Sequence, residues 1–217
     1  MEPRLSSGTL LSVWETGAAR RPLDRALAIL WAAGVEQGAE LPLAARDRAL
    51  LQVRAGTFGK EIEARATCPD CAAALDLTLD AEVLAAALHD PEEGPVRALT
   101  SADLAAVAGL PGARVAEGLR ERLGCTSGIA PESIDAAIEA QAEEAELTLR
   151  MVCAECGAGW AEVLDVPGFV WAELEAAALR LLAEVADLAR AFGWTEAEVL
   201  RLSPPRRAAY LAMARAS

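Results

Sequence analysis

No stretch of this 217-residue chain stays apolar for the roughly 18–20 residues that cross a bilayer. The opening MEPRLSSGTLL lacks the basic region, the long apolar stretch and the small-residue cleavage site of a signal peptide. The expectation is therefore a soluble protein of a reducing bacterial cytoplasm. His89 is the only histidine; beside Asp90 and Pro91 it reads as a solvated surface residue, which leaves no base for a Ser-His or Cys-His dyad. A Gly-rich phosphate loop, a nucleophile elbow and an Asp-rich metal motif are all missing. Lysine also occurs once, at Lys60, and with abundant alanine this marks a GC-rich bacterial coding sequence, not a function. The 20 basic residues face 33 acidic ones, and a net charge of −13 repels a phosphate backbone, so nucleic acid is not an expected partner. Nor is there a basic amphipathic helix to seek a membrane.

What is present reads as a folded protein: 53% of residues are hydrophobic and 24% charged, enough to bury one substantial core or two modest ones. The acidity is concentrated. Residues 61–150 carry −12, against +2 for residues 1–60 and −3 for residues 151–217. Leu10, Val13, Trp14 and Gly17 fall on one helical face, as do Leu23, Ala26, Leu27, Leu30 and Trp31 after Pro22, and a third helix is expected over 42–57. The period then shortens to two in Ile62, Ala64, Ala66 and in Leu75, Leu77, Leu79, the signature of strands. It does so again in Leu147, Leu149, Met151 and from Trp160 to Val166. Between the two hairpins, helices are expected over 80–88, from the capping signal Thr100–Asp103, and over 131–145. Beyond them, Trp171, Leu174, Ala178, Leu181, Val185, Leu188 and Phe192 make a helical seam that Gly193 closes. This seam could pair two chains, but Leu179 and Leu182 widen it and favour packing within one chain. Thr195 with Glu198 forms a second capping box, and Ser203-Pro204 opens a last helix.

Each hairpin tip carries Cys-x-x-Cys: Cys68 and Cys71 in RATCPDCAAALDLTLD, Cys153 and Cys156 in LRMVCAECGAGWAEVL. One such pair could be redox-active, half of a metal site or an accident; two with the same spacing and flanks supply four thiolates for a tetrahedron with Zn–S of about 2.3 Å. The 81 intervening residues are no obstacle. Stretching a loop from about 15 residues to that length adds only about 1.5 kcal/mol of closure entropy, against about 10–16 kcal/mol of apparent structural zinc binding. A redox pair requires a helix N-terminus to lower the thiol pKa, and here strands follow instead. With four cysteines there is no position left for a catalytic water. The expected cofactor is one structural zinc ion per chain, with a disulfide or a labile metal as the alternatives.

Other residues carry plainer readings. Cys125 stands alone as an inert packing thiol, and Trp160, Trp171 and Trp194 read as core. No basic residue lies between Arg122 and Arg150, while Glu132, Asp135, Glu139, Glu143 and Glu146 follow helical spacing there. That acidic face is either solvated or a docking surface for a basic partner.

The run ARDRALLQVRAGTFGKEIEARATCPDCAAALDLTLD, the phrase LTSADLAAV and the stretch from LTLRMVCAECGAGWAEVL to LRLSPPRRAAYL resemble the baseplate hub assembly chaperone family of T-even-type phages. Bacterial members of that family sit in gene clusters encoding phage-tail-like contractile injection systems. The likeness spans residues 10–212, is most specific at the paired knuckles and over 169–210, and is least over 84–140. It implies a role in building the baseplate hub, with Cys68, Cys71, Cys153 and Cys156 matching the family's cysteine pairs. The fold expected is mainly α with a small β zinc ribbon: an N-terminal helical region over 1–58, a split ribbon over 59–80 and 146–167, an acidic helical insert over 81–145, and C-terminal helices over 168–217 that pack on the N-terminal region. The function expected is non-enzymatic, an assembly chaperone or adaptor whose partner is a hub or spike protein of the same cluster. A structural component retained in the particle and a thiol redox protein are the alternatives. Oligomeric state is not legible.

Overall fold

A computed structural model describes residues 3–91, 94, 96–123 and 129–216. Ten helices and two hairpins are defined among them. Helices α1 (Ser7–Gly17), α2 (Pro22–Ala32) and α3 (Leu43–Phe58) come first, followed by strands β1 (Glu61–Thr67) and β2 (Ala74–Asp80). Next come α4 (Ala81–Ala87), α5 (Ser101–Val107), α6 (Gly112–Arg122) and α7 (Pro131–Glu144), and then β3 (Leu147–Val152) and β4 (Gly159–Leu164). Helices α8 (Val166–Phe192), α9 (Glu196–Leu200) and α10 (Pro204–Ala216) complete the chain. Cys125 lies outside the described residues.

The main core is built by α1, α2, α3 and α4 around the N-terminal two-thirds of α8. Leu10, Ile29, Leu30, Leu50, Leu51, Val170, Trp171, Leu174 and Ala178 are buried together in it. Burying a leucine or isoleucine fully contributes about 1.5–3 kcal/mol, so these side chains dominate what holds the fold. The α8 seam packs within the chain, but Leu179 is 52% exposed and lies outside the stripe it was expected to widen. In α2 the buried residues are Ala26, Ile29 and Leu30, while Trp31 is 71% exposed. The inward face is rotated from the expected one: α2 is packed among α1, α3 and α8, and Ile29 is fully buried in the core they share. Arg54, buried on α3, ties these parts together: it donates two hydrogen bonds to the Glu173 carboxylate on α8 and others to the carbonyls of Gly59 and Glu61 at the entry to β1. Two indole N–H groups, Trp14 Nε1 and Trp171 Nε1, are buried there without a hydrogen-bond partner among the described residues.

Residues Leu84, Ala85 and Leu88 of the first segment between the hairpins also belong to this core. A second, smaller cluster begins beyond them, with Val96, Leu99, Leu123, Ile134 and Ile138 buried from the chain around α5, α6 and α7. It is anchored on Asp103, whose carboxylate accepts from Arg97 at 2.7 Å, from Arg122 at 3.0 Å and from the Thr100 hydroxyl at 2.8 Å. Two backbone bonds join it to the α2–α3 connection, Leu43 N–H to Leu99 O at 3.1 Å and Ala102 N–H to Ala39 O at 2.9 Å. Arg46 on α3 adds a hydrogen bond to the fully buried Ser101 hydroxyl. A third cluster, Val185, Leu188, Val199 and Leu211, seats α9 and α10 on the end of α8.

Candidate metal centre

β1 pairs antiparallel with β2 from Glu61↔Asp80 to Thr67↔Ala74, and β3 with β4 from Leu147↔Leu164 to Val152↔Gly159. Each pair is a sheet of two strands, and no ladder among the described residues joins one sheet to the other. β4 ends one residue before Asp165, which caps α8 by accepting from the Gly168 N–H, so Val166 starts a helix and does not prolong the strand. The alternating positions Ile62, Ala64, Leu77, Leu149 and Met151 turn both hairpins' apolar faces toward one cleft of about 380 Å³ that Phe169 also lines. At its end, beyond the last ladder pairs, the two tips meet.

The tips are built alike. In residues 68–73 the Cys68 N–H donates to Ala73 O at 2.9 Å and the Ala72 N–H to Cys68 O at 3.0 Å. In residues 153–158 the Cys153 N–H donates to Ala158 O at 2.9 Å and the Gly157 N–H to Cys153 O at 2.9 Å. This closing pattern needs a left-handed residue four positions after the first cysteine, and Ala72 at φ 59° and Gly157 at φ 74° supply it. Each knuckle turns its first cysteine inward and leaves its second exposed: Cys68 and Cys153 are buried, Cys71 and Cys156 are not.

All four sulfurs lie within 4.8 Å of one another. Contacts of 3.7 Å between Cys68 Sγ and Cys156 Sγ and of 3.6 Å between Cys71 Sγ and Cys153 Sγ cross from one knuckle to the other. A regular tetrahedron with metal–sulfur distances of about 2.3 Å has sulfur–sulfur edges of about 3.8 Å, so the spacing and the donor set both fit a zinc-sized soft cation. The electrostatics agree. The Cys156 N–H, assisted by that of Glu155, lowers the Cys153 thiol to about 7 despite burial. The Ala73 N–H favours the Cys71 thiolate too, yet hydrogen bonds with the other three sulfurs and partial desolvation among them push that thiol up to about 12. Four thiols this close cannot all ionise unless a cation offsets their repulsion. Neither pair lies at the start of a helix; both sit in turns between strands, away from the helix dipole that activates redox thiols.

The four cysteines singled out by spacing are thus the ones brought together. His89 is exposed, with Nδ1 2.9 Å from the Ala87 carbonyl oxygen. Trp171 is buried, and Trp160 and Trp194 are half-buried; Trp194 stacks on Phe192 with ring centroids 4.8 Å apart. On α7, Glu132, Glu139 and Glu143 are exposed, as is Glu146 just beyond it, whereas Asp135 forms an ion pair with Arg120 at 3.4 Å. What sequence reasoning missed is the first-to-last pairing across the knuckles, which no local spacing encodes. No helix of the described residues is long and apolar enough to cross a membrane. The chain matches no family model, no curated protein and no solved structure.

Proposed function

We propose that Cys68, Cys71, Cys153 and Cys156 hold one structural zinc ion in a split zinc ribbon, and that the protein is a non-enzymatic assembly chaperone or adaptor for the baseplate hub of a phage tail or contractile injection system. The observation that carries the metal reading is the meeting of four sulfurs at the tips of two hairpins that share no strand ladder. A tetrahedral cation there clasps two segments 81 residues apart in the chain. All four ligands being cysteine, the ion keeps no position for water or substrate, which makes it a staple. The assembly reading rests on the resemblance of the knuckles and of residues 169–210 to the hub chaperone family. A protein without a catalytic constellation acts by binding, and Glu132, Glu139, Glu143 and Glu146 present it with an exposed acidic face. That face suits a basic patch on a hub or spike-proximal partner.

The test is a pull-down of the tagged chain from cells expressing its whole gene cluster, together with mass spectrometry of purified particles from wild-type and deletion strains. Recovery of a hub or spike protein, absence of the chain from mature particles, and hubless or missing particles in the deletion strain support the chaperone. Presence in particles at fixed stoichiometry makes it a structural component instead. Normal particles in the deletion strain contradict both.

A further inference from the structure

Where the segment before α1 meets the end of α3 and the flank of α8, a cavity of about 740 Å³ opens to solvent, within the roughly 300–1,000 Å³ typical of ligand pockets. Its floor is apolar, with Leu5, Leu10 and Leu181 buried beneath it and Phe58 and Leu200 half-buried at its sides. Three arginines line it. Arg207 is buried and committed: its guanidinium pairs with Glu184 and reaches the Leu202 carbonyl. Arg4 and Arg180 are exposed and make no hydrogen bond or ion pair with any described residue. Since Glu184 neutralises Arg207, the lining keeps two positive charges with no acidic partner among the described residues, in a chain of net charge −13.

We propose that this pocket docks an acidic, apolar segment of a partner protein, carboxylates on Arg4 and Arg180 and aliphatic side chains on the leucine floor. Each guanidinium offers a planar fork that matches a carboxylate, an interaction about twice as strong as a neutral hydrogen bond. The volume and the apolar floor exceed what a lone inorganic anion would fill, and a purely apolar peptide would leave both charges unmatched. The surface is opposite in sign to the acidic face on α7, so it recognises a different feature of whatever partner it meets. The proposal goes beyond the assembly reading and does not depend on it.

The experiment is fluorescence anisotropy of the full zinc-loaded chain with a labelled peptide alternating leucine and glutamate. Saturable binding is expected, weakened about fivefold or more by the double variant Arg4→Gln/Arg180→Gln and by raising salt from about 50 to 300 mM, since exposed charge pairs are screened. The double variant should keep its unfolding midpoint, because neither side chain is engaged in the fold. A peptide alternating leucine and lysine should not bind, and millimolar inorganic phosphate should not displace the probe. Absent binding, equal binding by the double variant, or displacement by phosphate alone overturns the proposal. So does self-association in analytical ultracentrifugation that the double variant abolishes, which would make the occupant a second copy of this chain.

Discussion

Replacing Ala72 by glycine should stabilise the protein and tighten its metal site. Ala72 is the only non-glycine residue at positive φ among the described residues, 59°, and it holds the position that Gly157 holds in the other knuckle. The left-handed region costs an L-residue roughly 1–2 kcal/mol through the clash of Cβ with the following carbonyl. Glycine removes that cost but adds freedom to the unfolded chain worth about 0.4–1 kcal/mol. The net gain is about 0.5–1 kcal/mol, or about 1–4 °C in Tm for a chain of this size. Because metal binding and folding are coupled, the same gain should appear as about threefold tighter apparent metal affinity. Gly157→Ala is the mirror experiment. No atom lies within 4 Å of a Cβ built there, so its cost is purely conformational and should be of similar size with opposite sign. Urea unfolding followed by circular dichroism at fixed excess zinc reads both, with an unchanged slope against denaturant showing that only stability has moved. The reasoning fails if Ala72→Gly destabilises, or if the two substitutions shift the midpoint in the same direction.

Replacing residues 90–144 by a Gly/Ser linker should leave zinc stoichiometry and the main helical signal intact, since loop length costs little. Extending the excision back to residue 84 should abolish cooperative unfolding, because Leu84, Ala85 and Leu88 sit in the main core; equal behaviour of the two deletions would contradict this division. Asp103→Asn should cost about 1.5–3 kcal/mol, the loss of charge-assisted hydrogen bonds at a carboxylate only 1% exposed. Arg97, with Thr100 adding to it, holds the Asp103 carboxyl well below its ordinary 3.8. The difference between wild type and variant should therefore be constant at neutral pH and shrink as pH falls below about 4, where the unfolded chain's carboxylate takes up a proton while the folded one is still ionised, and it should be lost only at the lower pH that protonates the folded carboxyl as well. A difference that grows in acid refutes that assignment. Reversing Glu139 and Glu143 to lysine should slow association with the hub partner more than it changes Tm, as both are exposed; an unchanged on-rate removes the α7 face from the interface.

The sequence was most legible where a short segment decides its own geometry. Period-two alternation located both hairpins, and the capping boxes at Thr100/Asp103 and Thr195/Glu198 form as their spacing implies. Gly193 ends α8 in the left-handed region, as a glycine after a long apolar seam should. The four cysteines were legible because their spacing repeats. Long-range choices were not. Helix α6 was missed: none of its residues is fully buried, and its apolar side is short, with Val115 and Leu119 only half-buried and Leu119 resting on the second cluster. Asp103 was recognised as a cap partner, but its bonds to Arg97 and Arg122, 6 and 19 residues away, depend on how α5 and α6 pack. Arg54 and Glu173 are 119 residues apart, and neither residue's neighbours announce the other. The outward turn of Trp31 likewise follows from which helices surround α2, a tertiary preference that overrides its apolarity.

The claim on which the rest depends is that a metal joins the two knuckles, and metal content with thiol counting tests it most directly. Protein purified without chelator should carry one zinc ion per chain by elemental analysis, with at most one of its five cysteines reactive until chelator and denaturant are added together. In the same assay Cys68→Ser should lose the metal and melt far below wild type, because half a tetrahedral site cannot hold the hairpins together. No zinc in the wild-type chain, four freely reactive thiols at the knuckles, or an unchanged Tm for Cys68→Ser would contradict the account.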